Sequence, residues 1–509
     1  MSSPILDRGK LGILTPTFAR GGCEEYVIAL ARWASERGWD TTVCLPEVEG
    51  LLTVRRDLAA YGISSAPLDA SELFHYEEEI FRESRRKALQ SIEAHRFDRL
   101  VIVLPTIHYG GPLIDAAAAA DVATAVVYQL VTSGHTFTSL ERYIYARARR
   151  RKQVWLTVSQ QNRDVLCESL GWQSSAVDVV PNALLRQIER VDEPEREKRR
   201  LALRRELGLS ADAFIALTVA RLHVQKAHDV LIKAAASLVS RRPRVHLVWA
   251  GTGEIADQLR GQVNQHALSE RVHMLGHRTD VVEQLLPAAD AFVLPSVFEG
   301  MPFAALEAMA AGLPSVLSDI GPHREIAIDG REALLVPVGD SEAIARALER
   351  LMTNHDEAAA IGAAAHRRVN GHIPGASFQR LFDFIESRTA HPESRVPSPE
   401  SRAAMWPLVE GPRRRVAIFG AGSGGRKALA ELLPDSEVVA FLDSRADGER
   451  ELLGLPIRKP EAVHDLNVDA VILASVHAGP MFHQLLALGF PRERIEIFPI
   501  WRLLPSEEA

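Results

Sequence analysis

The sequence predicts an α/β protein built from successive parallel-sheet domains, and three observations carry that prediction. Short β-branched runs alternate with longer helical patterns along most of the 509 residues, which is how strand–helix–strand units read. The alternation breaks at a charged helical stretch, Glu195–Leu207, and then restarts. It breaks again in a segment rich in Pro, Ser, Glu and Arg, beyond which a glycine-rich strand-to-helix junction opens a further unit. The expected organisation is a first domain over residues 1–195, a second over 196–388, a linker over 389–412 and a small unit over 413–509.

In the first domain the expected strands are Leu11–Thr15, Thr41–Leu45, Leu100–Leu104, Thr124–Leu130 and Val154–Val158, with helices such as Glu25–Arg37 between them. The second carries Phe214–Val219, Val245–Ala250, Val272–Leu275, Ala291–Leu294 and Ser315–Leu317 at helix-sized intervals. In the last unit Arg415–Phe419 is the opening strand, and the next strand, VVAFLD, closes on Asp443.

Composition narrows the function classes. A chain that is 47% hydrophobic and 25% charged supports large buried cores and excludes a mostly disordered protein. With 59 Lys and Arg against 66 Asp and Glu the net charge is −7, so nothing in the overall balance points to a nucleic-acid binder, which usually shows a basic domain or stripe. Cys23, Cys44 and Cys167 are too scattered for a disulfide framework or a thiolate zinc site. The start, MSSPILDRGKLGIL, lacks the basic and apolar regions of a signal peptide, and no apolar run approaches the roughly 20 residues that span a bilayer. A cytoplasmic location is expected.

The chemistry concentrates in the second domain. In PSVFEGMPFAALEAMAAGLPS, Pro295–Ser315, a buried strand ends in a loop carrying Glu299 and Gly300, and Pro302 stands where a helix starts. Proline suits a first helical turn, which needs no donor from it, and Gly300 lets backbone approach a ligand closely. The free amides of the new helix favour an anion or oxygen-rich group. Glu307 lies in FAALEAMAAG, which is apolar around nearly its whole circumference. A carboxylate buried there needs donors. Ribose hydroxyls would serve, and so would a buried arginine or a backbone amide. Upstream, ALTVARLHVQKAHDVLI places Arg221 and Lys226 between a strand end and a helix, where a planar fork and a point charge suit a diphosphate. Both clusters fall on the carboxyl edge of one parallel sheet, the usual ligand edge of open α/β folds.

These pieces, with VWAGTGE (Val248–Glu254) and SDIGPHREIAIDGREALLVPVGD (Ser318–Asp340), resemble the nucleotide-binding half of retaining GT-B glycosyltransferases of family 4 (glycosyltransferase group 1). The resemblance implies two Rossmann-like domains facing a cleft, joined here by a third, small Rossmann-like α/β domain. It implies that Arg221 and Lys226 hold the donor diphosphate, that Glu307 takes the ribose hydroxyls, and that Glu299 contacts the donor sugar. Gly300, Met301, Pro302 and Phe303 would line sugar and phosphate with their backbone, and Gly251 and Gly253 would shape the neighbouring pocket. The last helix would return to the first domain. Retention and metal-independent transfer follow from the resemblance alone.

The first domain matches more loosely. Its opening strand, the loop at Gly21 and Gly22 and the following helix correspond to the family's donor- and acceptor-facing element, while VVPNAL has Ala183 where glycine is usual. The family's cleft histidine has no clear counterpart. His108 and His135 are rivals for an acceptor-side role, and either also reads as an ordinary loop histidine. The basic run Arg147–Lys152 reads as a solvated helix end or as a contact with an anionic membrane surface.

In the last unit, Gly420, Gly422 and Gly425 follow a strand and open a helix, and Asp443 ends the next strand, a dinucleotide-type fingerprint. It resembles the small Rossmann modules beside sugar-modifying enzymes, and a nucleotide or dinucleotide ligand there stays open. The expected function is transfer from a UDP- or GDP-sugar to a glycan, a lipid-linked acceptor or a small molecule. No cofactor is needed for transfer. A GT-B enzyme of epimerase type and a non-catalytic sugar-nucleotide sensor are the alternatives.

Overall fold

The computed structural model describes residues 8–68, 78–107, 109–133, 137, 144–145, 148–149, 153–370, 374–389, 414–421, 436–446, 450–452, 455–473 and 478–497. They fall into two compact units, one of residues 1–136 with 148–391 and one of residues 137–147 with 392–509. His108, His135, Gly422, Gly425 and most of the Arg147–Lys152 run lie outside the described residues.

The larger unit holds two parallel sheets. The first comprises β1 (Lys10–Leu14), β2 (Asp40–Leu45), β3 (Ser64–Pro67), β4 (Arg99–Leu104), β5 (Ala123–Tyr128), β6 (Gln153–Thr157) and β7 (Asp178–Val179). Its order is β3-β2-β1-β4-β5-β6-β7. The second comprises β8 (Phe214–Val219), β9 (Val245–Ala250), β10 (Val272–Met274), β11 (Ala291–Leu294), β12 (Ser315–Ser318) and β13 (Leu334–Val336), ordered β10-β9-β8-β11-β12-β13. Central strands such as β4 (RLVIVL, buried from Leu100 on) and β9 (VHLVWA, buried throughout) have both faces covered, so continuous apolar runs rather than alternation mark them. The expected strands are present, shifted by one or two residues at their ends. Three short ones escape the sequence. Strand β3 reads SSAP with a single buried residue, β7 spans two residues and β13 three, so each is a strand because a neighbouring strand pairs with it.

The helix Glu193–Glu206 leads into the second sheet. Asp192 caps it by accepting from the Glu195 amide at 2.9 Å. Its Arg204, buried to 1% exposure, donates to the Ala213 carbonyl and to Asp290 Oδ2 at 2.6 Å. Asp290 in turn accepts from the Ile215 amide, so a charge that would be costly alone is saturated and staples the helix to β8.

One apolar core runs without interruption from Leu11, Val27 and Val127 around the first sheet to Leu217, Leu306 and Met309 around the second. The helix Pro374–Thr389 packs onto the first half: Phe378 meets Tyr26 edge-on at 5.3 Å, and Phe382 lies 5.4 Å from Trp33 and 5.5 Å from Trp39. A second core, around Leu231, Trp249 and Leu348, covers the other face of the second sheet.

The smaller unit contains β14 (Arg414–Phe419), β15 (Ser436–Leu442), β16 (Arg450–Leu452), β17 (Leu455–Arg458), β18 (Ala470–Leu473) and β19 (Ile495–Ile497), ordered β16-β17-β15-β14-β18-β19. Among the described residues only β16 and β17 pair antiparallel. Alternate residues of its strands face two small cores, Val416 and Ile418 on one side and Ala417 and Phe419 on the other. No helix among the described residues is long and apolar enough to cross a membrane.

Candidate functional site

The carboxyl ends of β8 and β11, adjacent in the second sheet, present the two motifs side by side. After β8 the chain runs through Arg221 into a tight turn, Val224–Lys226, where His223 Nδ1 accepts from the Gln225 amide at 3.1 Å. Ala227 then takes φ +51, and the helix His228–Val239 begins. The turn aims Lys226 across to the β11 loop, where Nζ meets Glu299 Oε1 at 2.5 Å. The Ser296 hydroxyl donates to the same oxygen at 2.6 Å. Gln225 reaches the loop too, donating from Nε2 to the Phe298 carbonyl at 2.8 Å and toward Glu299 Oε2 at 3.4 Å. The pair is nearly enclosed, with side-chain exposures of 16% for Lys226 and 6% for Glu299, so each charge rests on the other. His228 enters the core against Trp249, and burial together with the Lys226 charge pushes it down to about 4.

Arg221 lies on the same edge but is exposed, and it makes no ion pair among the described residues. Its field reaches Tyr109 of the first half, whose phenol is raised by burial and drawn back by the guanidinium. Gly251 and Gly253 serve this loop sterically. A Cβ at Gly251 would stand 1.9 Å from the Ala220 carbonyl oxygen, and one at Gly253 would stand 2.1 Å from that of Leu222. The two glycines therefore let the loop after β9 press against the backbone on either side of Arg221.

Pro302 sits one position earlier than expected. It is the N-cap, extended at φ −76 and ψ 119, and the helix is Phe303–Ala310. That helix is also not enclosed all round: Phe303, Ala304, Glu307 and Ala311 form a half-buried stripe, its apolar members packed at the edge of the shared core. Glu307 is thus half-buried rather than enclosed. No hydrogen bond or ion pair among the described residues engages it. Burial pushes it up to about 7; Arg186 pulls it down, and Glu25 and Glu283 push it further up.

The first half closes on this edge. At Gly300 a Cβ would fall 1.7 Å from the Gln129 carbonyl oxygen just beyond β5, so only glycine allows the contact. The Asn182 amide donates to Gln129 Oε1 and to the Met301 carbonyl, both at 3.1 Å. Gly22, the first residue of the helix Gly22–Ser35, faces the Phe303 ring. Gly21 is its extended N-cap beside Glu24, a buried carboxyl raised by desolvation and steadied by Thr17 and the Gly21 amide. Glu325 caps the helix Gln160–Leu170 from the second half, accepting from the amides of Gln160 at 2.9 Å and Gln161 at 3.2 Å.

The structure therefore joins Lys226 to Glu299, sets Arg221 on the same sheet edge, and leaves Glu307 apart from that pair. Sequence reasoning missed Gln225, Ser296, Asn182, Gln129 and Tyr109. Gln225, Ser296 and Asn182 stand inside motifs visible in the sequence; Gln129 and Tyr109 carry no local signal, since partners more than 50 residues away define them.

In the smaller unit Gly420 directly follows β14 with φ +118 and donates its amide to the Leu442 carbonyl. Asp443 accepts from the Arg445 amide at 2.9 Å, so one of its oxygens already closes a local turn.

Comparison with known proteins agrees with this architecture. Residues 20–184 match the model of Glycosyltransferase Family 4, and residues 199–368 that of Glycosyl transferases group 1. The putative glycosyltransferase EpsD of Bacillus subtilis is 37% identical over 149 residues, 29% of this chain and 39% of that protein. The D-inositol 3-phosphate glycosyltransferase of Nocardia farcinica is 30% identical over 271 residues, 49% of this chain and 58% of the relative. The chain thus spans about half the length, or less, of the curated relatives it matches. Among solved structures, Anabaena HepE in complex with UDP and glucose superposes with a TM-score of 0.62 at 21% identity, covering 74% of this chain and 99% of that one, a likeness of fold. With a family 4 segment followed directly by a group 1 segment on two facing parallel sheets, the chain belongs to the GT-B glycosyltransferases of that family.

Proposed function

We propose that the protein transfers a sugar from a nucleoside-diphosphate sugar, a UDP-sugar before a GDP-sugar, to a glycan, lipid-linked or small-molecule acceptor, with retention and without a metal ion. The Lys226–Glu299 pair on the carboxyl edge of the second sheet is the observation that carries this reading. One ammonium hydrogen is committed to Glu299, which leaves two to meet a diphosphate, and the unpaired Arg221 guanidinium supplies a planar fork beside it. As the bond to the sugar breaks, negative charge grows on the departing phosphate. Cations fixed in advance stabilise it more than mobile water does. Glu299 faces the sugar hydroxyls, and Glu307, which has no protein donor among the described residues, accepts the ribose hydroxyls. The backbone from Gly300 to Phe303 lines sugar and phosphate, and Gly21 and Gly22 approach from the first half. UDP is preferred because HepE, of like fold, was solved with UDP and glucose. The third sheet is read as a nucleotide-type module, with Gly420 and Asp443 at the ends of neighbouring strands.

The test is a panel of UDP- and GDP-sugars followed for nucleotide release, with and without glycan and lipid-linked acceptors. Acceptor-dependent release that Lys226→Ala and Glu307→Ala abolish supports the reading. Isomerised donor in the absence of acceptor overturns it in favour of epimerase-type chemistry.

A further inference from the structure

The geometry points to His323, Ser318 and Ser296 as a positioning relay that holds the Glu299 carboxylate toward the donor sugar. The inference rests on the donor-site reading above and adds residues to it that touch neither donor nor acceptor. Strands β11 and β12 run in register, Phe292 opposite Ser315 and Leu294 opposite Leu317, so the loops leaving their carboxyl ends lie side by side. His323, on the short helix Gly321–Ile326, is completely buried beneath them.

The hydrogen bonds run in one direction. His323 Nδ1 lies 2.7 Å from the Ser318 carbonyl oxygen, which can only accept, so Nδ1 carries the proton. Burial lowers the imidazole from its ordinary value, which favours the neutral ring, and Nε2 is then a bare lone pair without a hydrogen-bond partner among the described residues. With its carbonyl fixed by His323, Ser318 has its hydroxyl turned to the neighbouring loop, donating to the Ser296 carbonyl at 2.5 Å. Ser296 in turn donates its own hydroxyl to Glu299 Oε1 at 2.6 Å, the oxygen that also takes Lys226. Each serine has a single proton, and both serines are fully buried, so no water competes for it. The chain of donors ends on the carboxylate and sets its rotamer. Lys226 and the long 3.4 Å contact from Gln225 Nε2 to Oε2 would leave the carboxylate some freedom to pivot about the salt bridge; the short Ser296 hydroxyl bond supplies a directional restraint on Oε1.

The experiment uses the full chain, transfer kinetics over a range of UDP-sugar, and titrations with UDP and with UDP-sugar separately. Ser318→Ala and His323→Ala are expected to lower kcat/KM for the UDP-sugar about 10- to 100-fold, as misplacement of a reacting constellation does. The affinity for UDP, which lacks the sugar, stays that of the wild type. His323→Asn, whose amide puts an N–H near the Nδ1 position, recovers most of the loss, and the Ser318→Ala/His323→Ala double variant is no worse than the poorer single. Equal weakening of UDP and UDP-sugar, or a His323→Asn variant as impaired as His323→Ala, overturns the relay. Should His323→Ala fail to fold, Ser318→Ala decides alone, since it removes one hydroxyl: wild-type kinetics in that variant overturn the relay. A wild-type chain that binds no nucleoside diphosphate overturns the donor-site reading itself, an outcome distinct from any variant effect.

Discussion

Lys226 and Glu299, 73 residues apart in the chain, meet at 2.5 Å on the carboxyl edge of the second sheet. With exposures of 16% and 6% neither is solvated enough to stand alone. Replacing Lys226 by Met is therefore expected to cost roughly 3–5 kcal/mol, because it strands a buried carboxylate. Adding Glu299→Gln to that variant returns most of the stability and none of the transfer. Urea unfolding beside nucleotide-release assays separates the two effects; equal instability of the single and double variants would count against a coupled pair.

Glu307 gives the protein a distinct pH signature. Its carboxyl is pushed up to about 7 by burial, above the ordinary 4.5 that it keeps in the unfolded chain. Between these values the folded state binds more protons than the unfolded one, so stability falls as pH rises through that window and levels off above it. Glu307→Gln should flatten this slope in thermal melts. If the carboxylate accepts ribose hydroxyls, nucleoside-diphosphate binding near pH 6 releases a proton. Calorimetry in buffers of different ionisation enthalpy detects the release, which the Gln variant should lack.

Gly251 separates a steric glycine from a merely permissive one. A Cβ there would stand 1.9 Å from the Ala220 carbonyl oxygen, at φ +149, whereas Gly208, at φ +67, has open space. Gly208→Ala should cost about 1 kcal/mol, the ordinary penalty for a side chain at positive φ. Gly251→Ala should cost about 1–3 kcal/mol more, because the Ala220–Leu222 backbone must move. That movement displaces Arg221, so donor affinity falls with stability; a normal donor KM in the folded Gly251→Ala variant would contradict it.

Asn182 ties the two halves together through Gln129 and the Met301 carbonyl. Asn182→Ala leaves two buried acceptors without their donor, at about 1–3 kcal/mol. Because Met301 belongs to the donor loop, the variant should raise the donor KM as well as lower the melting temperature. Asn182→Asp keeps the size but removes the donor and should behave like Ala in both measurements.

The parts of the fold visible in the sequence are those with long apolar runs. Strands such as Val245–Ala250 and Phe214–Val219 announce themselves because both their faces are buried. The strand Ser64–Pro67 does not, because its place in the sheet comes from pairing with β2 rather than from its own side chains. The residue types of the candidate site were equally legible, but their neighbours were not. Glu307 read as enclosed, since FAALEAMAAG shows no polar face; only the packing of the two halves leaves that stripe half open. Gly251 and Gly253 read as pocket formers, and the backbone they approach is that of Ala220 and Leu222.

By itself the sequence determined the alternating architecture and the strand-end positions of Arg221, Lys226 and Glu299, since propensity and periodicity are local properties. Tertiary structure alone decided that Lys226 neutralises Glu299 and not Glu307, that Gly300 rests on Gln129, and that His323 lies buried behind the β11 loop. Those outcomes depend on which distant atoms share a low-dielectric space. A one-dimensional pattern carries no measure of that distance, and burial sets the strength of every charge placed there.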